Sequence, residues 1–118
     1  MTVFIVDDSP LILSKVAELL EEVDGINSLK TCGTYTGAVK EFNAYRPSHI
    51  LIDINLPDGS GIELLQHVKK TSPQTTVIMF TNMSGEYYQK LCLNMGADYF
   101  IDKSKDFERI PSILASLS

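Results

Sequence analysis

Three stretches of this chain are apolar at every consecutive position: Val3-Phe4-Ile5-Val6, Ile50-Leu51-Ile52 and Val77-Ile78-Met79-Phe80. Successive side chains of a strand point to opposite faces, so a run without polar interruption must be covered on both. That is the signature of an inner strand of a parallel sheet. Tyr99-Phe100-Ile101 is a shorter copy, and Ile26 to Cys32 is a weaker, more polar run suited to a sheet edge.

Amphipathic segments separate the runs. Ser9 is placed to cap a helix with Pro10 at its first position, where the missing N–H is no loss. Ile12, Val16, Leu19, Leu20 and Val23 give it one apolar face, and Asp24-Gly25 ends it. Further helices are expected from Thr36 to Tyr45, Gly61 to Thr71, Ser84 to Asn94 and Asp106 to Leu117. Pro111 either sits in an opening turn of the last helix or bends it. Five strands alternating with five helices predict an α/β fold, a doubly wound five-stranded parallel sheet with right-handed crossovers. Ligands of such sheets bind beyond the carboxyl ends of the strands.

At those ends the runs deliver Asp7 and Asp8, Asp53, Thr81, and the pair Asp102 and Lys103. Singly these residues are ordinary caps and turn formers. Together the acids are costly: two unit charges about 4 Å apart repel by roughly 4 kcal/mol at an effective dielectric of about 20. A neighbouring lysine or a hard dication such as Mg²⁺, which favours carboxylates, waters and phosphate oxygens, would offset this.

The remaining sequence narrows the setting. With 118 residues the chain fits one domain, expected to span 1–118. Its formal net charge of -5 and lack of a basic stripe argue against direct nucleic-acid binding. Cys32 and Cys92 form no C-x-x-C pair and read as reduced, apolar fillers. No secretory signal or membrane-spanning run is visible, so a cytoplasmic, membrane-free location is expected. His49 and His67 lack a surrounding ligand cluster, and no phosphate loop of the G-x-x-x-x-G-K-[ST] type occurs. One or both of Tyr87 and Tyr88 is expected to be exposed on the fourth helix.

Four segments carry a family resemblance: Val6-Asp7-Asp8-Ser9, Asp53-Ile54-Asn55-Leu56-Pro57-Asp58-Gly59-Ser60-Gly61, Phe80-Thr81-Asn82, and Gly96-Ala97-Asp98-Tyr99-Phe100-Ile101-Asp102-Lys103. In this order, each at the end of an apolar run, they resemble the response-regulator receivers of two-component signalling over essentially the whole length. The resemblance implies a flavodoxin-like strand order 2-1-3-4-5. It implies that Asp53 accepts a phosphoryl group from a histidine kinase or histidine phosphotransfer protein. It further implies Mg²⁺ held by Asp7, Asp8, Asp53 and the backbone carbonyl of Asn55. Thr81 matches the switch hydroxyl, Lys103 its ion-pair partner and Phe100 the switch aromatic. The face made by the fourth helix, fifth strand and fifth helix would meet a downstream protein. The chain would then be no enzyme on outside substrates, only a catalyst of its own phosphoryl transfer and dephosphorylation.

Two departures stand out. Ser104 follows the lysine where the family usually has a proline after a cis bond, so the backbone is either trans there or held cis under strain. Phe100 lacks the hydroxyl of a tyrosine. The alternatives are a Mg²⁺-dependent phosphatase with an aspartyl-phosphate intermediate and a non-phosphorylated interaction module. The phosphatase pattern normally places D-x-D after the first strand, whereas this chain has Asp7-Asp8. Closing at Ser118, the chain reads as either a stand-alone regulator or an excised module.

Overall fold

The polar run ending at Cys32 and the three longer apolar runs take the edge and inner places their composition requires, while the shorter run Tyr99-Phe100-Ile101 forms the other edge. In the computed structural model, which describes residues 1–117, the strands β1 (Thr2–Val6), β2 (Ser28–Cys32), β3 (His49–Ile52), β6 (Thr76–Thr81) and β7 (Tyr99–Asp102) form one sheet. Their order is β2-β1-β3-β6-β7 and every pairing is parallel. Counting only these five strands, this is the expected order 2-1-3-4-5. A two-stranded antiparallel hairpin, β4 (Asn55–Leu56) with β5 (Gly59–Ser60), lies apart from the sheet and was not anticipated.

Alternation along the inner strands builds two cores. Phe4, Val6, Ile50, Ile52, Val77 and Met79 point to one face, with Ala38 and Phe42 of α2 (Tyr35–Tyr45), Leu64, Leu65 and Val68 of α3 (Gly61–Thr71) and Cys92 of α4 (Glu86–Asn94). Val3, Ile5, Leu51, Ile78, Phe80 and Ile101 point to the other, with Val16 and Leu20 of α1 (Pro10–Leu20) and Ile110, Ile113 and Leu114 of α5 (Ile110–Ser116). Fully burying such a side chain is worth about 1.5–3 kcal/mol, more than any single cap contributes. The cores therefore set the architecture and the caps trim the ends.

Local chemistry fixes the helix starts. Ser9 accepts from Ile12 N–H ahead of Pro10, as its position suggested. Thr34 accepts from Gly37 N–H and so starts α2 one residue earlier than expected. A short 3₁₀ turn, Phe107–Arg109, precedes α5, and Pro111 falls within the first turn of that helix. There its ring displaces no helical hydrogen bond, so the helix is not bent. Cys32 and Cys92 are both free thiols, and no helix among the described residues is long and apolar enough to cross a membrane.

Candidate functional site

Each inner strand hands a polar residue to the carboxyl edge of the sheet. Asp7 follows β1; its N–H bonds the carbonyl of Cys32, and one carboxylate oxygen accepts from Ser9 N–H at 2.8 Å. Asp53 follows β3 and is registered by its own N–H to the carbonyl of Val6 at 3.0 Å. Thr81 ends β6, and the N–H of Lys103 just after β7 reaches the carbonyl of Thr81 at 3.0 Å. The parallel ladder thus aligns residues that lie up to 96 positions apart.

Lys103 closes the cluster. Its ammonium donates to Asp7 Oδ2 at 2.5 Å and to Asp53 Oδ2 at 2.9 Å. The lysine, Asp7 and Asp53 side chains are all less than one-tenth exposed. Asp8 is exposed, yet Asp7, Asp8 and Asp53 each bring a carboxylate oxygen within 4.8 Å of the others. The acids expected to crowd together do so.

Burial and pairing oppose each other here. Burial pushes the Asp7 carboxyl above its ordinary value, and the contacts with Lys103 and Ser9 N–H only partly reverse this. Burial alone would lower the Lys103 ammonium, but its bonds to Asp7 and Asp53 outweigh that and hold it above the usual lysine range. Lys103 is therefore a fixed positive charge, shared by two of the three acids. Asp8 has no ion pair or hydrogen bond to offset its charge among the described residues. In metal-free buffer Asp8→Asn should raise the melting temperature by about 3–5 °C. Asp7→Asn should gain less, because it forfeits the buried pair with Lys103. Thermal scans of both variants with and without Mg²⁺ check this; equal or lower melting temperatures for Asp8→Asn would contradict it.

The loop after Asp53 is held more firmly than its turn-like sequence implied. Asp58, at the tip of the β4–β5 hairpin, accepts from Tyr35 N–H at 2.6 Å and Thr36 N–H at 2.9 Å, one oxygen each. It thereby caps α2 from a distance of more than twenty residues, and the Thr36 and Tyr35 donors lower its carboxyl below the usual range. Gly59 lies against the Tyr35 ring, where a Cβ would come within 2.7 Å of Cγ. Gly61 opens α3 with its N–H on the carbonyl of Ile54 at 2.8 Å.

Thr81 is buried, and its hydroxyl oxygen accepts from Met83 N–H at 3.1 Å. Phe100 is half-buried and packs on the α2–α3–α4 side of the sheet, as do Met83, Tyr88 and Met95. Of the two tyrosines of α4, Tyr88 packs inward and Tyr87 is 71% exposed, their rings edge-to-face at 5.3 Å. The Lys103-Ser104 bond is trans. In place of a proline ring, Ser104 gives its hydroxyl and its N–H to Asp102 Oδ1, at 2.7 and 2.8 Å.

The histidines stay outside the cluster. His49 is buried at the opposite end of β3 against Ser48 Oγ, and His67 meets Asn43 Oδ1 at 2.9 Å. Two contributors escaped the sequence reading: Asp58 as a remote cap and Asp102 as a hydrogen-bond hub. Asp58-Gly59 signalled a turn, but nothing local pointed to Tyr35 and Thr36.

The sequence model of the response regulator receiver domain matches residues 3–115. The chain belongs to that family. This receiver is 27% identical over 110 residues to the DNA-binding transcriptional activator EvgA of Escherichia coli, covering 93% of this chain and 53% of that protein. It is 34% identical over 109 residues to a protein-glutamate methylesterase/protein-glutamine glutaminase of Clostridium acetobutylicum, covering 90% of this chain and 32% of that one. The receiver thus spans about half or a third of the curated relatives it matches. Among solved structures, the response regulator domain of Thermotoga maritima CheB superimposes with a TM-score of 0.85 at 26% identity, over 99% of this chain and 92% of that one. The isolated receiver of RcsB from Salmonella enterica, determined with the phosphomimetic BeF₃⁻, gives 0.91 at 22% identity, over 99% and 87% of the two chains. The fold of this receiver is therefore that of the two-component response regulators, a family of phosphorylation-dependent switches.

Proposed function

We propose that this receiver takes a phosphoryl group onto Asp53 from a phosphohistidine of a histidine kinase or histidine phosphotransfer protein. The observation that carries the reading is the sharing of Lys103 between Asp7 and Asp53 beside an exposed third acid. Phosphoryl transfer asks a protein mainly to position the reactants and neutralise spread charge. An Asp53 oxygen forms the bond to phosphorus while the phosphorus–nitrogen bond of the donor breaks, and the imidazole leaves. Lys103 stays opposite to balance charge on the transferred group. One domain over residues 1–118 suffices for this chemistry.

The donor set suits a hard dication: three carboxylates within 4.8 Å, with one lysine compensating only two of them. Asp7, Asp8, Asp53 and the backbone carbonyl of Asn55 would hold Mg²⁺. Bound there, Mg²⁺ supplies Lewis acidity and further charge neutralisation. Water attack on the acyl phosphate later returns the carboxylate, so the chain acts on itself and not on outside substrates. A downstream protein is read by α4, β7 and α5, where Tyr87 stands exposed.

Incubation with Mg²⁺ and a small acyl phosphate tests it. One phosphoryl group per chain should appear, none with excess chelator, and no steady release of phosphate from a phosphomonoester. Sustained turnover of the monoester would favour a phosphatase instead.

The switch follows from the hydroxyl. Phosphorylation adds a charge of about -1.5 to -2 beyond β3. Thr81 answers by leaving Met83 N–H and turning toward Asp53, and Phe100 repacks in the space vacated. Thr81→Ala should accept phosphate yet transmit little to α4 and β7. With beryllofluoride as phosphoryl mimic, amide shifts at Tyr87, Tyr88 and Phe100 should fall to less than about a third of wild type. Wild-type shifts in the variant would place the coupling elsewhere.

A further inference from the structure

The loop between Thr81 and α4 is pinned from β7 by a single side chain. Asp102 is the ladder partner of Thr81, last in β7 as Thr81 is last in β6. Its Oδ2 accepts from the Ser84 hydroxyl at 2.7 Å. Its Oδ1 accepts from the Ser104 hydroxyl at 2.7 Å, Ser104 N–H at 2.8 Å and Lys105 N–H at 3.3 Å. One carboxylate therefore joins the segment after Thr81 to the turn after Lys103, at the carboxyl ends of two adjacent strands.

Apart from the packing of Met83 against the core, few other contacts fix that segment. Met83 N–H holds the Thr81 hydroxyl, and the Gln89 amide reaches the carbonyl of Ser84 at 2.9 Å. Gly85 caps α4 without a side-chain bond, and a Cβ there would meet nothing within 4 Å. Nothing obstructs a shift of the segment at Gly85 itself. The Ser84–Asp102 bond spans two loops and opposes any such shift. Four donors on one carboxylate also account for the Asp102 pKa of about 2, with the Ser84 hydroxyl contributing most. The group stays ionised, and the bond charge-assisted, throughout the physiological range.

We propose that Asp102 is a positioning residue that clasps Ser84 and thereby holds Thr81 in its unphosphorylated setting. The inference rests on the phosphoryl-switch reading above. When Thr81 turns toward a phosphoryl group, it releases Met83 N–H, residues 82–85 follow, and the clasp opens. The clasp therefore stabilises the resting state relative to the switched one and weakens the affinity for any phosphoryl group at Asp53. Ser104 keeps the carboxylate aimed while Ser84 comes and goes.

Beryllofluoride with Mg²⁺ is the probe, titrated by amide NMR into the whole chain. Ser84→Ala and Asp102→Ala should each bind it about fivefold more tightly than wild type, the worth of one charge-assisted hydrogen bond at a partly exposed site. The double variant should gain no more than either alone, because both remove the same bond. Ser84→Thr keeps the hydroxyl and should bind as wild type does. Should Asp102→Ala fold poorly, Ser84→Ala against Ser84→Thr decides the matter alone. Unchanged or weaker binding by Ser84→Ala, or equal gains by Ser84→Thr, overturns the clasp while leaving the switch reading intact. Absence of any binding by the wild type overturns both.

Discussion

Gly61→Ala should destabilise the protein by about 2 kcal/mol or more, although alanine is ordinarily the better helix residue by about 1 kcal/mol. Gly61 opens α3 without a left-handed φ, so conformational freedom is not what the position demands. Space is. A Cβ at Gly61 would lie 2.0 Å from the carbonyl oxygen of Asp53 and 2.9 Å from Cγ2 of Ile52. The oxygen belongs to backbone and cannot rotate away as a side chain could. Either α3 withdraws, losing the buried contacts of Leu64 and Leu65, or Asp53 is displaced from Lys103. Both outcomes cost more than the helix preference returns. The melting temperature should fall by roughly 10 °C, and uptake of phosphate from a small donor should slow with it. A melting temperature within about 2 °C of wild type would show that the loop relaxes freely and that α3 does not set the position of Asp53.

That close approach illustrates where the sequence is informative and where it is silent. Uninterrupted apolar runs such as Val77-Ile78-Met79-Phe80 announce burial on both faces, because strand geometry leaves no other use for them. The sheet and its two cores follow, and with them the edge on which Asp7, Asp8, Asp53, Thr81 and Lys103 meet. Even the weak run ending at Cys32 fits, since β2 is a sheet edge with Leu29 partly exposed. Pro111 could be placed only once α5 was seen to begin at Ile110.

Contacts between remote loops are of another kind. Asp58 caps α2 from the far side of the acceptor loop, and Asp102 gathers Ser84 and Ser104. Aspartates before turns are so common that no local pattern marks these as special. Their partners are chosen by tertiary placement, which only the folded chain supplies. Ser104 shows the same limit in reverse: the missing proline raised the question of the backbone, and the trans bond with a serine–aspartate turn answers it. Lys103 pairing with Asp7 as well as Asp53 was likewise open until the distances were known, and it separates the expected behaviour of Asp7→Asn from that of Asp8→Asn.

We propose Asp53, and not Asp7, as the nucleophile. Asp7 is also a buried carboxylate, and it lies nearer Lys103, at 2.5 Å against 2.9 Å for Asp53. The two differ in what else they hold. Asp7 commits its other oxygen to Ser9 N–H at 2.8 Å, at the start of α1, and its carboxyl is raised by burial. Asp53 makes only a long contact of 3.4 Å from Asn55 N–H with its Oδ1. That oxygen is the less encumbered one and is free to attack phosphorus. Isosteric Asp53→Asn retains the shape but removes the nucleophile, so the effect should be all or nothing. The direct measurement is intact mass of wild type and Asp53→Asn after incubation with Mg²⁺ and a small acyl phosphate, followed by fragmentation to locate the modified residue. Wild type should gain one acid- and base-labile phosphoryl group on Asp53 and the variant none; gain by Asp53→Asn at the wild-type level and rate would contradict the account.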